Sequence, residues 1–271
     1  KSFIAVSWKD RERKHFEWEY VIYFLILYAL LVFRAPSDFF QPYLWAEDGT
    51  VLIQGSIYNG IQSVFQVGNG AYWVIPKLIA LLCYWSVKPF NSIVILPYLM
   101  QVIAKVFTVL SVMYFISDKF EWLVAKKFHR FCICVGIILF MPQSASDTLT
   151  CETSLPFALF FAVYLIGLDL LCNSKIELPN WKQIIFMSLL ALSSADALCI
   201  GAVAAVVIVR YFVYGSKHKI EKVQWWEGVF KLTLVLFAVS LQTQCLLSSG
   251  RVKQQLDVTK RIILNTKSFM F

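Results

Sequence analysis

Glu47 and Asp48 stand side by side in the stretch Trp45-Ala-Glu-Asp-Gly49. A carboxylate at a water–lipid edge can take a proton from a hydroxyl and so act as a general base. Adjacent side chains diverge, so one of the pair faces a ligand while the other orients a cation or a ligand hydroxyl. Asp48 is preferred as the base, because Gly49 lets the backbone come close to a ligand. The competing reading is an N-cap, since Asp48 precedes Thr50-Val-Leu-Ile53 and could accept from the first helical amides. An anionic ligand needs a positive partner. Arg34 and Lys77 are the candidates, and Arg251 and Lys253 join them if the chain after Leu247 lies on the same side. Arg34 at a helix end can equally snorkel. Lys77 inside an apolar run is harder to explain that way. Trp45, Tyr72 and Trp73 could stack on a ligand, or belong to an interfacial aromatic belt. Asp196, in the break Ser193-Ser-Ala-Asp196, is costly within an apolar run, which favours a substrate role. Asp147 and Glu152 read as solvating an outer turn.

The elements that must hold these residues are apolar. Of 271 residues, 59% are hydrophobic and 15% charged, against roughly 25% charged in soluble domains. Mean hydropathy is +0.65. A soluble enzyme, a nucleic-acid-binding domain and a disordered chain are all disfavoured. The fold expected is all-α, a polytopic transmembrane helix bundle. The net charge of +8 reads as Lys and Arg in cytoplasmic loops, with no nucleic-acid partner. The 7 cysteines are scattered and form neither a disulfide framework nor a zinc pattern. All 3 histidines sit in basic flanks, so no Ser-His-Asp or Cys-His site is available near the carboxylates.

Apolar runs fall at about 20–33, 71–87, 92–116, 131–141, 155–172, 184–214 and 229–247. The run 184–214 exceeds the ~20 residues one crossing needs, so two short helices should meet at Ser193–Asp196. The expectation is about 7–9 spans, an outer first loop over 34–70 carrying an interfacial helix, and a basic cytoplasmic segment over 1–19. The core covers 20–247. Residues 248–271 should begin an outer region of a longer chain. Basic stretches at 119–130, 175–182 and 210–222 belong inside. One conflict stands: two simple crossings between 71 and 116 would put the stretch 119–130 outside. The charge pattern is the stronger guide, so one of these runs should be interfacial or re-entrant, or the region should cross three times.

This arrangement resembles the GT-C class of integral-membrane glycosyltransferases, in particular bacterial O-antigen serotype-converting glucosyltransferases. In that class an acidic motif follows the first transmembrane helix. An interfacial helix comes next, then a Gly/aromatic/Pro turn. Here Trp45-Ala-Glu-Asp-Gly49 is the acidic motif, and Gly70-Ala-Tyr-Trp73 with Pro76-Lys77-Leu-Ile-Ala80 is the turn, Lys77 standing where the pattern has Arg. The resemblance spans most of 20–215 and implies a polyprenyl-phosphate-sugar donor and a glycan or lipid acceptor. It also implies an acidic residue of Glu47-Asp48 as base, and a bacterial inner membrane with the site on the periplasmic face. No cofactor is fixed by these residues, and a divalent cation could sit at the carboxylates. The alternative is a transporter or lipid flippase. Against it, the sequence shows no internal repeat, and its carboxylates cluster at one membrane edge rather than at the midplane. A non-catalytic membrane subunit is a third option, which the intact acidic motif argues against.

Overall fold

The apolar runs become helices. A computed structural model describes residues 18–34, 36, 40, 48–68, 70–90, 92–140, 155–172, 178–193, 197–215 and 222–249. Among these the regular structure is helical, apart from one isolated bridge between Gly68 and Ala71. In order, α1 is Trp18–Arg34, α2 Gln54–Asn59, α3 Val74–Val87, α4 Leu96–Met113 and α5 Lys127–Phe140. The remaining helices are α6 Leu155–Cys172, α7 Trp181–Ala191, α8 Ala197–Gly215 and α9 Lys222–Ser248. The all-α expectation holds. Two segments of 24 residues each, Ile93–Ile116 and Trp225–Ser248, are long and apolar enough to cross a membrane.

Pro76 and Pro97, which lie within two of the apolar runs, sit where helices start. Pro76 lies in the first turn of α3 and Pro97 at the start of α4. No intrahelical bond needs their missing N–H there. The long run around Ser193 divides as expected, with α7 ending at Ala191 and α8 beginning at Ala197. At its other end, α7 opens on a capping box in which the Asn180 side chain accepts from the Gln183 amide.

Side-chain contacts fix the helix directions. Lys127 at the start of α5 lies 3.4 Å from Glu19 at the start of α1, and Arg34 at the end of α1 donates to the Ile138 carbonyl near the end of α5 at 2.6 Å. The two helices therefore run the same way, and Tyr23 stacks on Phe131 between them. Helices α6 and α8 also run together. A Cβ on Gly167 would lie 2.5 Å from Val203, so only glycine allows this approach. Near their far ends Arg210 donates to the Leu170 carbonyl. Lys119 meets Asp169 at 3.1 Å, and the Gln183 amide reaches the Tyr114 hydroxyl at 3.5 Å. Lys119, Lys127, Lys182 and Arg210 therefore gather at one end of the bundle.

These directions bear on the conflict over 71–116. The end of α4 lies at the basic end, where the Ile116 carbonyl accepts from Arg130 at 3.1 Å. Near the start of α4 the Tyr98 hydroxyl donates to the Phe40 carbonyl of the first loop at 3.3 Å. Helix α3 also starts away from the basic end, with the Val74 amide donating to the Leu192 carbonyl at 3.3 Å. Both helices thus begin at the same end, and α4 alone connects the two ends. The starts of the two helices at one end fit the expectation that 71–116 is not a pair of simple crossings.

Arg130 needs a second correction. It was read as one charge of a basic loop, yet it is 0% exposed. It donates to the Ile116 and Val124 carbonyls and lies 3.4 Å from the Asp118 carboxylate. It staples the turn between α4 and α5 rather than simply facing water. The core is organised around α6, which is apolar except for Asp169. Leu159, Val163 and Ile166 pack with α7, α8 and α9, while Ala158 and Leu165 pack with α1 and α5.

Candidate functional site

The site forms at the end opposite the basic loops. Its floor is a continuous helical segment from Asp48 to Phe65. A π-turn covers Asp48–Ile53, α2 follows, and a 3-10 stretch covers Gly60–Phe65. Gly60, at φ +54, ends α2 in the left-handed region that glycine tolerates. The segment packs Leu52, Ile53 and Val64 inward and leaves Ile57, Tyr58, Ile61 and Phe65 exposed.

The chain then reverses over a two-residue link. Gly68 and Ala71 exchange backbone hydrogen bonds of 2.8 and 3.0 Å, and Gly70 takes φ +82. Trp73 follows at φ 58, the one non-glycine residue with positive φ among those described. That geometry costs on the order of 1–3 kcal/mol and persists only where the surroundings over-determine it. Here the indole Nε1–H donates back to the Gly68 carbonyl at 2.8 Å. The first amides of α3 are capped by another helix. The Ile75 amide donates to the Ser193 hydroxyl at 2.7 Å, and that hydroxyl donates to the Leu189 carbonyl at 2.6 Å. The Tyr72 amide donates to the Gln242 amide oxygen at 3.2 Å. The first loop, the end of α7 and the end of α9 therefore meet here.

Lys77 sits in the first turns of α3 and is 2% exposed. Its Nζ donates to the Gln66 carbonyl at 2.5 Å. Among the described residues no carboxylate pairs with it. It lines a cavity of about 360 Å³ whose other walls include Thr50, Val51, Gln54, Tyr58 and Gln66. The backbone comes close at Gly68, where a Cβ would lie 2.7 Å from Val51 and 3.4 Å from the Lys77 ammonium. The cavity thus joins a buried cation, amide and hydroxyl groups, and bare backbone. Such a lining can receive an anion that carries hydroxyls.

The other expected site residues divide into three groups. Tyr72 stands beside the cavity and is tied to α9, without lining it. Arg34 does not line it either: its guanidinium is bound to the last turn of α5. Glu47, Trp45 and Asp196 lie outside the described residues, as do Asp147, Glu152, Arg251 and Lys253. For Asp48 the backbone is described as the first residue of the π-turn. The sequence reading passed over Gln54, Tyr58 and Gln242. Gln54 and Tyr58 are four apart on one helix face, a spacing that could have marked them. Gln242 is buried on α9, and only the tertiary fold places it. Among the described residues, no three His, Cys, Asp or Glu side chains gather as metal ligands. No family model, curated protein or solved structure matches this chain.

Proposed function

We propose that this chain is an integral-membrane glycosyltransferase that takes its sugar from a polyprenyl-phosphate carrier at the cavity beside Lys77. Lys77 carries the reading. A buried ammonium with a carbonyl partner and no carboxylate among the described residues is costly alone, and an anion in the cavity would offset that cost. The donor's phosphate is such an anion. Glu47-Asp48 leads straight into the residues that form the opposite wall. One carboxylate, Asp48 by preference, takes the proton from the acceptor hydroxyl. The hydroxyl oxygen bonds to the anomeric carbon as the bond from that carbon to the phosphate oxygen breaks. The phosphate leaves with its charge held against Lys77.

The membrane placement follows the charges. Helices α1, α4, α5, α6, α7, α8 and α9 cross in alternating directions, with the basic end in the cytoplasm. Helix α3 enters and returns from the outer side. Ile57, Tyr58, Ile61 and Phe65, exposed on one segment, seat it in the interface. The cavity then opens extracytoplasmically, in the inner membrane of a bacterium. The acceptor is a surface glycan or a lipid.

The test is transfer by the full chain in proteoliposomes, using a panel of polyprenyl-phosphate hexoses with membrane glycan as acceptor. Wild type should consume one donor. Lys77→Met should lose at least about 100-fold, the loss typical when one group stabilising developing charge is removed. Donor movement across the bilayer without transfer would overturn the reading in favour of a flippase.

A further inference from the structure

A second cavity, of about 410 Å³, lies between α4, α6 and α7 at the basic end, remote from Lys77. That volume is within the ~300–1,000 Å³ of small-molecule sites. Phe107 and Leu110 of α4, Leu159 and Ile166 of α6 and Phe186 of α7 make its walls apolar. Its mouth is polar and carries Lys119, Lys182 and the first turn of α7. Lys119 meets the buried carboxylate of Asp169 at 3.1 Å, so its charge is largely answered. Lys182 is exposed, and no ion pair among the described residues engages it. The Gln183 amide is satisfied by Asn180 at 2.9 Å. The amides of Trp181 and Lys182 precede it in the turn, have no intrahelical acceptor and add positive potential at the same place. An apolar trough with a positive lip fits a molecule with a greasy tail and an anionic head.

We infer that this groove holds an anionic phospholipid of the cytoplasmic leaflet, with an acyl chain along α4 and α6 and the phosphate at Lys182 and the first turn of α7. This site is separate from the transferase cavity and rests only on the membrane placement. A basic pocket between helices on the cytoplasmic side selects lipid charge by the same electrostatics that draws lysine clusters to anionic membranes.

Native mass spectrometry of the full chain in detergent, titrated with dioleoyl phosphatidylglycerol or dioleoyl phosphatidylcholine, tests this. Wild type should retain the glycerol lipid in preference to the choline lipid. Lys182→Gln should weaken its retention roughly fivefold, the effect of one lysine near an anionic surface, and leave the choline lipid unchanged. Ala162→Phe, which fills the trough and keeps both lysines, should abolish retention. Leu110→Trp does the same from a partly exposed position if that variant fails to fold. Equal retention of the two lipids would overturn the inference. So would indifference to all three variants, or displacement by inorganic phosphate, which marks a site for free anions.

Discussion

Lys77 holds a positive charge where the fold offers it a carbonyl and an open cavity. Removing the charge should therefore separate two properties. Replacing a buried ion with an apolar residue of similar length is often neutral or stabilising. Lys77→Met should leave the melting temperature in detergent unchanged or raised while transfer is lost. A fall in melting temperature with transfer intact would make Lys77 a structural residue. Gly68 gives a second residue-scale expectation. Any side chain there meets Val51 and presses on the lysine, so Gly68→Ala should cost about 1–3 kcal/mol, readable by thermal unfolding. From sequence alone, Lys77 was legible as odd because it interrupts an apolar run. Arg130 was not legible, because a lysine or arginine in a basic flank looks the same whether it faces water or is buried as a staple. Only the carbonyls of Ile116 and Val124 identify it.

Helix α3 shows what local sequence can and cannot fix. Its hydropathy and the position of Pro76 mark the helix. Its start, however, depends on Ser193, which lies 118 residues away in the chain. A cap supplied by another helix leaves no local signature. Ser193→Ala should cost about 1 kcal/mol, in the range of lost N-caps, seen as a lower unfolding temperature. It should also loosen the Gly68–Trp73 turn, measurable as faster amide exchange at Tyr72 and Ile75. Unchanged exchange at both amides would remove Ser193 from the cap. The break between α7 and α8 was legible for a different reason. A polar interruption in an apolar run too long for one crossing leaves few alternatives.

Across the whole molecule, the basic end was legible from charge, because Lys119, Lys127, Lys182 and Arg210 fall in basic stretches that the fold gathers together. The number of passages between 71 and 116 was not. Hydropathy reports that a helix is apolar, not which end of its neighbours it begins beside. Those ends are read only from tertiary contacts, the hydrogen bond from Tyr98 to Phe40 and the contact of Arg34 with α5. In a cysteine-free background, Ile61→Cys should react with a membrane-impermeant maleimide from the outside, and Leu123→Cys should react only after permeabilisation. Equal labelling would break the placement. The central claim is that a carboxylate of the first loop and Lys77 act on one lipid-linked sugar. It is tested most directly by single-turnover transfer with Asp48→Asn, Glu47→Gln and Lys77→Met in parallel, each checked for intact folding. The account predicts that wild type forms product, that one carboxamide variant fails, and that Lys77→Met fails with it. Product formed at the wild-type rate by both carboxamide variants and by Lys77→Met would contradict it.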